Sequence, residues 1–176
     1  MSRPVRVGVV LGSDSDLDVM LEAVKVLDAL EVGSEVFVAS AHRTPERTQE
    51  YARRAQGRGL GVLIAGAGGA AALPGVLASL SPLPVIGVPI ASTPLGGLDA
   101  LLSIAQMPKG VPVATVAIGA WGAANAGVLA AQILALGDPA LAARLATYRT
   151  RLADEVDARA RRVAERLKSG ASASGS

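Results

Sequence analysis

The stretch "VRVGVVLGSDSDLDVMLEAVKVLDALEVGSEVFVA", residues 5–39, decides the fold. It opens on an apolar run, Val5 to Leu11, passes through glycine and small polar residues, and then places Val19, Met20, Ala23, Val24 and Leu27 at spacings of three and four. That spacing is the signature of a helix with one apolar face. Gly33 is expected to end this helix, which spans about Asp16 to Leu30, before a second apolar run from Glu35 to Ala39. Strand, helix and strand in this order read as a β-α-β unit, the building block of a parallel sheet.

The pattern recurs along the chain. Further strands are expected at Gly61 to Ala65, Val85 to Pro89 and Val113 to Ile118, giving five in all. Each is apolar enough to be buried on both faces, as a sheet covered by helices on both sides requires. The second helix has Thr44 as its expected N-cap and Pro45 at its first position, where the missing N–H costs nothing. A third starts in the glycine-rich segment and runs to about Leu80, and a fourth lies in "GGLDALLSIAQ", residues 96–106. The fifth, "AANAGVLAAQILAL" at 123–136, carries alanine on nearly every face, which implies close helix packing and hints at a subunit contact.

The sixth helix begins with Asp138 as cap and Pro139 in its first turn, and carries Leu141, Leu145, Tyr148, Leu152, Val156, Val163 and Leu167 along one stripe. Unbroken to Lys168 it would be roughly 45 Å long, against a width of roughly 30 Å for a domain of this size. Part of its stripe is therefore expected to rest on a neighbouring subunit. The chain reads as one α/β domain over residues 1–168, a five-stranded parallel sheet with a long C-terminal helix, followed by a polar tail at 169–176 expected to be disordered.

Composition narrows the chemistry. The 176 residues include no cysteine and one histidine, so thiolate sites and histidine-rich metal sites within one subunit are excluded. The net charge of +2 is spread along mixed helical segments, giving no stripe for nucleic acid. One Phe, two Tyr and one Trp argue against base-stacking platforms and ring-sandwiched flavins. The start has no secretory-signal pattern and no stretch is apolar enough to span a bilayer, so a cytoplasmic protein is the expectation.

In a parallel α/β sheet, ligands bind beyond the carboxyl ends of the strands, near the point where strand order reverses. Three loops there carry the chain's polar groups. In "GSDSD", residues 12–16, Ser13 and Ser15 offer hydroxyls, and Asp14 and Asp16 offer carboxylates where a helix exposes unpaired N–H groups. One carboxylate is enough for a helix cap, and the other is available for sugar hydroxyls. In "SAHRTP", residues 40–45, His42 can exchange a proton near neutral pH, and Arg43 can hold a phosphate in a two-pronged contact.

In "AGAGGAAALPG", residues 65–75, glycines let backbone N–H groups approach an anion at a helix start, or let helix and sheet pack closely. The dinucleotide fingerprint is not completed, because Ala71 occupies its last glycine position. A phosphate-receiver domain is disfavoured because the third strand ends without a carboxylate.

Together "GSDSD", "SAHRTP", "AGAGGAAALPG", "LLSIAQMPKGVPVATVAIG" and "GAANAGVLAAQIL" resemble, in order, the PurE family of N5-carboxyaminoimidazole ribonucleotide mutases, over about Val5 to Leu136. The resemblance implies a flavodoxin-like three-layer sandwich, a homo-octamer with sites between subunits, and no metal or organic cofactor. It implies transfer of a carbamate carboxyl from N5 to ring carbon C4 of a phosphorylated aminoimidazole ribonucleotide, in purine (IMP) biosynthesis.

On the matching motifs, His42 falls on the general acid/base, and Ser13, Asp16 and Arg43 fall on substrate-binding positions. Ser15, Ser40 and the backbone of Ala67, Gly68, Gly69 and Ala70 fall on other pocket positions. Arg43 stands where the related carboxylases that use free carbon dioxide tend to carry lysine, which favours the mutase. Two departures are evident. Ala72 stands where the family usually has a second histidine, and Ala120 and Trp121 interrupt "GKAGAANA". The first leaves open a catalytically weakened ribonucleotide-binding protein, and a carboxylase that uses carbon dioxide directly is a third reading.

Overall fold

The computed structural model describes residues 4–173, with side chains to Leu167. Five parallel strands, β1 (Val5–Leu11), β2 (Gly33–Val38), β3 (Val62–Gly68), β4 (Val85–Ile90) and β5 (Ala114–Thr115), form one sheet in the order β2-β1-β3-β4-β5. Order therefore reverses between β1 and β3, in the flavodoxin-like arrangement.

Helices α1 (Leu17–Ala29), α5 (Ala120–Ala135) and the start of α6 (Pro139–Ala173) cover one face, and α2 (Pro45–Ala55), α3 (Ala72–Leu80) and α4 (Leu98–Ala105) cover the other. The alternation of side chains along a strand explains why β1 and β3 must be apolar throughout. Val7, Val9, Leu11, Val62 and Ile64 enter the core beneath α1 and α5, while Val10, Leu63, Ala65 and Ala67 enter the core beneath α2 and α3.

Several expectations change in detail. Gly33 does not end α1: the helix stops at Ala29, Glu31 turns the chain with φ +59°, and Gly33 opens β2. Its missing side chain lets the strand pass the backbone of Pro4, whose carbonyl carbon would lie 2.9 Å from an added Cβ. Not all strands are buried on both faces. At the sheet edge, β2 leaves Val36 and Val38 exposed, and β5 is two residues long where six were expected.

The chain beyond β5 keeps only isolated contacts to β4, Val116 N–H to the Gly87 carbonyl at 3.2 Å and Gly119 N–H to the Pro89 carbonyl at 2.9 Å. The fifth helix begins at Ala120, three residues before the expected Ala123, and so takes in Trp121.

The small residues of α5 have a partner within the chain. Ala123, Ala126, Ala130 and Ala131 are buried against α1, and a Cβ added at Gly127 would lie 2.8 Å from the Ala23 carbonyl. Within the chain, the alanine signal corresponds to close packing on α1.

Asp138 caps α6 as expected, accepting from the Leu141 N–H at 3.0 Å and pairing with Arg6 at 2.8 Å. Thirty-five residues make α6 roughly 53 Å long. Leu141 and Leu145 lie in the core, whereas Leu152, Val156, Val163 and Leu167 on the same stripe are exposed. Of the tail expected at 169–176, residues 169–173 continue the helical backbone and 174–176 lie outside the described residues.

Candidate functional site

At the β1/β3 switch point a cleft of ≈ 370 Å³ opens beyond the strand ends. The loops after β1, β2 and β3, with Ser92 after β4, line it in the lateral order that the sheet dictates. Eight of the site residues expected from the family motifs line it, Ser13, Ser15, Asp16, Ser40, His42, Arg43, Ala67 and Gly68. Gly69 and Ala70, also expected, do not line it. The backbone turns at Gly69 (φ +60°) and again at Ala71 (φ +43°), and Ala71, Ala72 and Leu73 form that wall.

The loop after β1 shows how capping and spare carboxylate divide. A 3-10 turn spans Asp14–Asp16 and precedes α1, so the α-helix begins one residue later than expected. Ser13 caps this turn, receiving the Ser15 N–H at 3.4 Å, and Asp14 receives the same N–H at 3.1 Å. Asp16 makes no capping bond to α1. It is buried, accepts weakly from the Ser15 hydroxyl at 3.4 Å and lines the cleft. Burial pushes its carboxyl above the usual range, against the smaller opposing effects of the Ser15 and Ser13 hydrogen bonds.

The loop after β2 braces itself. Thr44 occupies the N-cap position of α2 but does not cap it with its side chain. Its hydroxyl instead donates to the Ser40 carbonyl at 3.1 Å and accepts from the Ser40 N–H at 2.9 Å. The Ser40 hydroxyl accepts the Arg43 N–H at 3.2 Å and its Nε at 3.4 Å, while Arg43 Nη2 donates to the Gly12 carbonyl at 3.3 Å. Ser40 and Thr44 thus fix the Arg43 guanidinium across two loops. His42 takes no part in this bracing; it is exposed and lines the cleft.

Ser92 was not among the residues legible from sequence. Its side chain occupies the place where Gly68 lacks one: an added Cβ there would lie 2.8 Å from Ser92 Cβ and closer still to its hydroxyl. The glycine motif was the available signal, but it does not say which side chain fills the space. Ala72 lines the same wall and brings no titratable group.

The arrangement therefore joins one imidazole, one braced guanidinium, one buried carboxyl and several hydroxyls around a small cleft. Among the described residues no three of His, Cys, Asp and Glu gather as metal ligands, and no helix is long and apolar enough to cross a membrane.

Comparison with known proteins shows the family. A Pyrococcus abyssi protein named N5-carboxyaminoimidazole ribonucleotide mutase is 61% identical over 144 residues, covering 82% of each chain. Proteins of the same name from Mycobacterium tuberculosis and Thermotoga maritima are 56% and 53% identical, over 92% and 90% of this chain and 94% and 91% of theirs. The crystal structure of Treponema denticola PurE superposes with a TM-score of 0.76 at 26% identity, over 85% of this chain and 92% of that one. The family model described as AIR carboxylase matches residues 6–155, and the chain belongs to that family.

Proposed function

We propose that this chain is an N5-carboxyaminoimidazole ribonucleotide mutase of purine biosynthesis, moving the carboxyl of the N5 carbamate to C4 of the same ribonucleotide. The observation that carries the reading is the meeting of His42, Arg43, Ser13 and Asp16 in one cleft at the switch point, in a chain 61% identical to a protein of that name. Arg43 holds phosphate, with the Ser13 and Ser15 hydroxyls beside it. Asp16 accepts from ribose hydroxyls. The backbone of Ala67 and Gly68 and the start of α3 face the migrating carboxylate.

His42 is the general acid and base. Its imidazolium gives a proton to N5 as the N5–carboxyl bond breaks, releasing carbon dioxide and leaving the exocyclic amine. C4 then attacks the retained carbon dioxide, and the neutral imidazole removes the C4 proton, restoring the imidazolium. Atoms balance with no oxidant or added co-reactant. Carbon dioxide must stay in place between the steps, which a dry pocket closed by neighbouring chains would ensure. The exposed stripe from Leu152 to Leu167 on α6 and the exposed Trp121 support assembly into a homo-octamer.

The family description favours keeping a second reading, direct carboxylation of the unmodified ribonucleotide with carbon dioxide. Isomerisation of the carbamate substrate by the purified protein, followed without and with bicarbonate, decides between them. The mutase reading expects turnover on the carbamate independent of bicarbonate. Activity that requires bicarbonate, with none on the carbamate, selects the carboxylase. If only the Ala72→His variant turns over, the parent is a ribonucleotide-binding protein.

A further inference from the structure

A second cleft of ≈ 350 Å³ adjoins the first and shares Gly12, Ser13, Ser40 and Arg43 with it. Arg43 thus forms part of the wall between them. The second cleft adds Asp14 from the β1 loop and Thr44 and Arg47 from the start of α2. Arg47 lies in the first turn of α2, four residues beyond Arg43 in the preceding loop. Its guanidinium carbon stands 4.7 Å from the centre of the Phe37 ring, which in turn stacks on Tyr51 with centroids 4.3 Å apart. The aromatic pair holds the arginine by cation–π attraction without consuming its hydrogen-bond donors.

Charge bookkeeping gives this arginine a purpose. Across the two clefts the carboxylates of Asp14 and Asp16 are balanced only when Arg47 is counted with Arg43, the imidazole being neutral. A ribonucleotide bearing a phosphate and a carboxylate brings about three negative charges, by the ordinary ionisation of such groups. One guanidinium already engaged by Ser40 and Gly12 leaves that charge poorly matched. On α2, Arg54 is committed to Glu50 at 3.0 Å, and Arg58 beyond the helix is committed to Glu35. Arg47 pairs with no carboxylate among the described residues.

We propose that Arg47 is a second phosphate-holding residue, so that the ribonucleotide phosphate lies between Arg43 and Arg47, beside the Ser13 hydroxyl and the first turn of α2. The assignment rests on the ribonucleotide reading given above. Arg47 also lines a neighbouring cleft with Phe37, Glu50 and Tyr51, so Phe37 acts as the positioning residue that holds the Arg47 side chain at the border of the two clefts.

Calorimetric titration of the full-length protein with 4-carboxy-5-aminoimidazole ribonucleotide and with its dephosphorylated nucleoside tests this. Arg47→Ala is expected to weaken the ribonucleotide roughly tenfold, the scale of one charge-assisted hydrogen bond, and to leave the nucleoside unchanged. Arg47→Lys should recover part of the loss, and the KM for the carbamate should rise in Arg47→Ala while kcat stays near the parent value. Equal weakening of both ligands would show that Arg47 acts through Phe37 and the fold, and unchanged affinity for both would show that it does nothing at the site; either overturns the proposal. Should Arg47→Ala fail to fold, Arg47→Gln carries the same comparison. No ribonucleotide binding by the unaltered protein would overturn the ribonucleotide reading, and this assignment with it.

Discussion

Two stretches of nearly the same composition do opposite things. "AGAGGAAALPG", residues 65–75, leaves space open: Ala67, Gly68, Ala71 and Ala72 form a wall of the cleft. "GAANAGVLAAQ", residues 122–132, removes space: its small residues let α5 press onto α1 until Ala126, Ala130 and Ala131 are fully covered. Small side chains alone do not mark a site. What marks it is position beyond the strand ends at the order reversal, with polar loops opposite and no helix laid across the gap.

This contrast predicts that changes in the cleft alter activity at little cost in stability, and changes in the seam do the reverse. His42→Asn should lower turnover at least about a hundredfold while leaving the melting temperature and ribonucleotide affinity near the parent values, measured by steady-state kinetics, thermal melting and calorimetry. Gly127→Val should destabilise by about 1–3 kcal/mol through overpacking against Ala23 and Val26, with site-directed affinity unchanged in the folded fraction; denaturant titration reads this. A seam that tolerated valine without loss would break the comparison.

Two carboxylates sharpen it with opposite pH behaviour. Asp138, beside the seam, is held below the usual range by the Leu141 N–H and by Arg6. Its folded pKa is depressed, so its stabilisation is complete above the usual carboxylate range and is lost as pH falls through the folded value. Asp16, in the cleft, is raised by burial. Its cost is absent in acid and sets in as pH climbs from the usual carboxylate value through the raised folded one. Thermal melts at neutral pH should therefore show Asp138→Asn as destabilised and Asp16→Asn as equal to the parent or more stable. The reverse order would contradict the assignment of one carboxylate to structure and the other to ligand.

The sheet, its helices and the three site loops were legible because apolar periodicity and glycine placement follow directly from backbone geometry. The exceptions share a cause: each depends on a partner distant in sequence. Gly33 looks like a helix stop until Pro4 is seen against it. Thr44 stands at a cap position, yet its hydroxyl is taken by Ser40. The alanines of α5 call for a close neighbour, and only the tertiary structure shows that neighbour to be α1. In the cleft, Ser92 enters from a fourth loop with no motif of its own, while Gly69 and Ala70 lie outside the wall because two left-handed residues redirect the chain.

The central claim is that the chain's single imidazole carries the proton between N5 and C4. A crystal structure of the assembled protein with 4-carboxy-5-aminoimidazole ribonucleotide bound tests it most directly. The account predicts a His42 ring nitrogen about 3 Å from the exocyclic amine or directly over C4. A His42 ring turned to bulk solvent, with the heterocycle seated elsewhere, would contradict it.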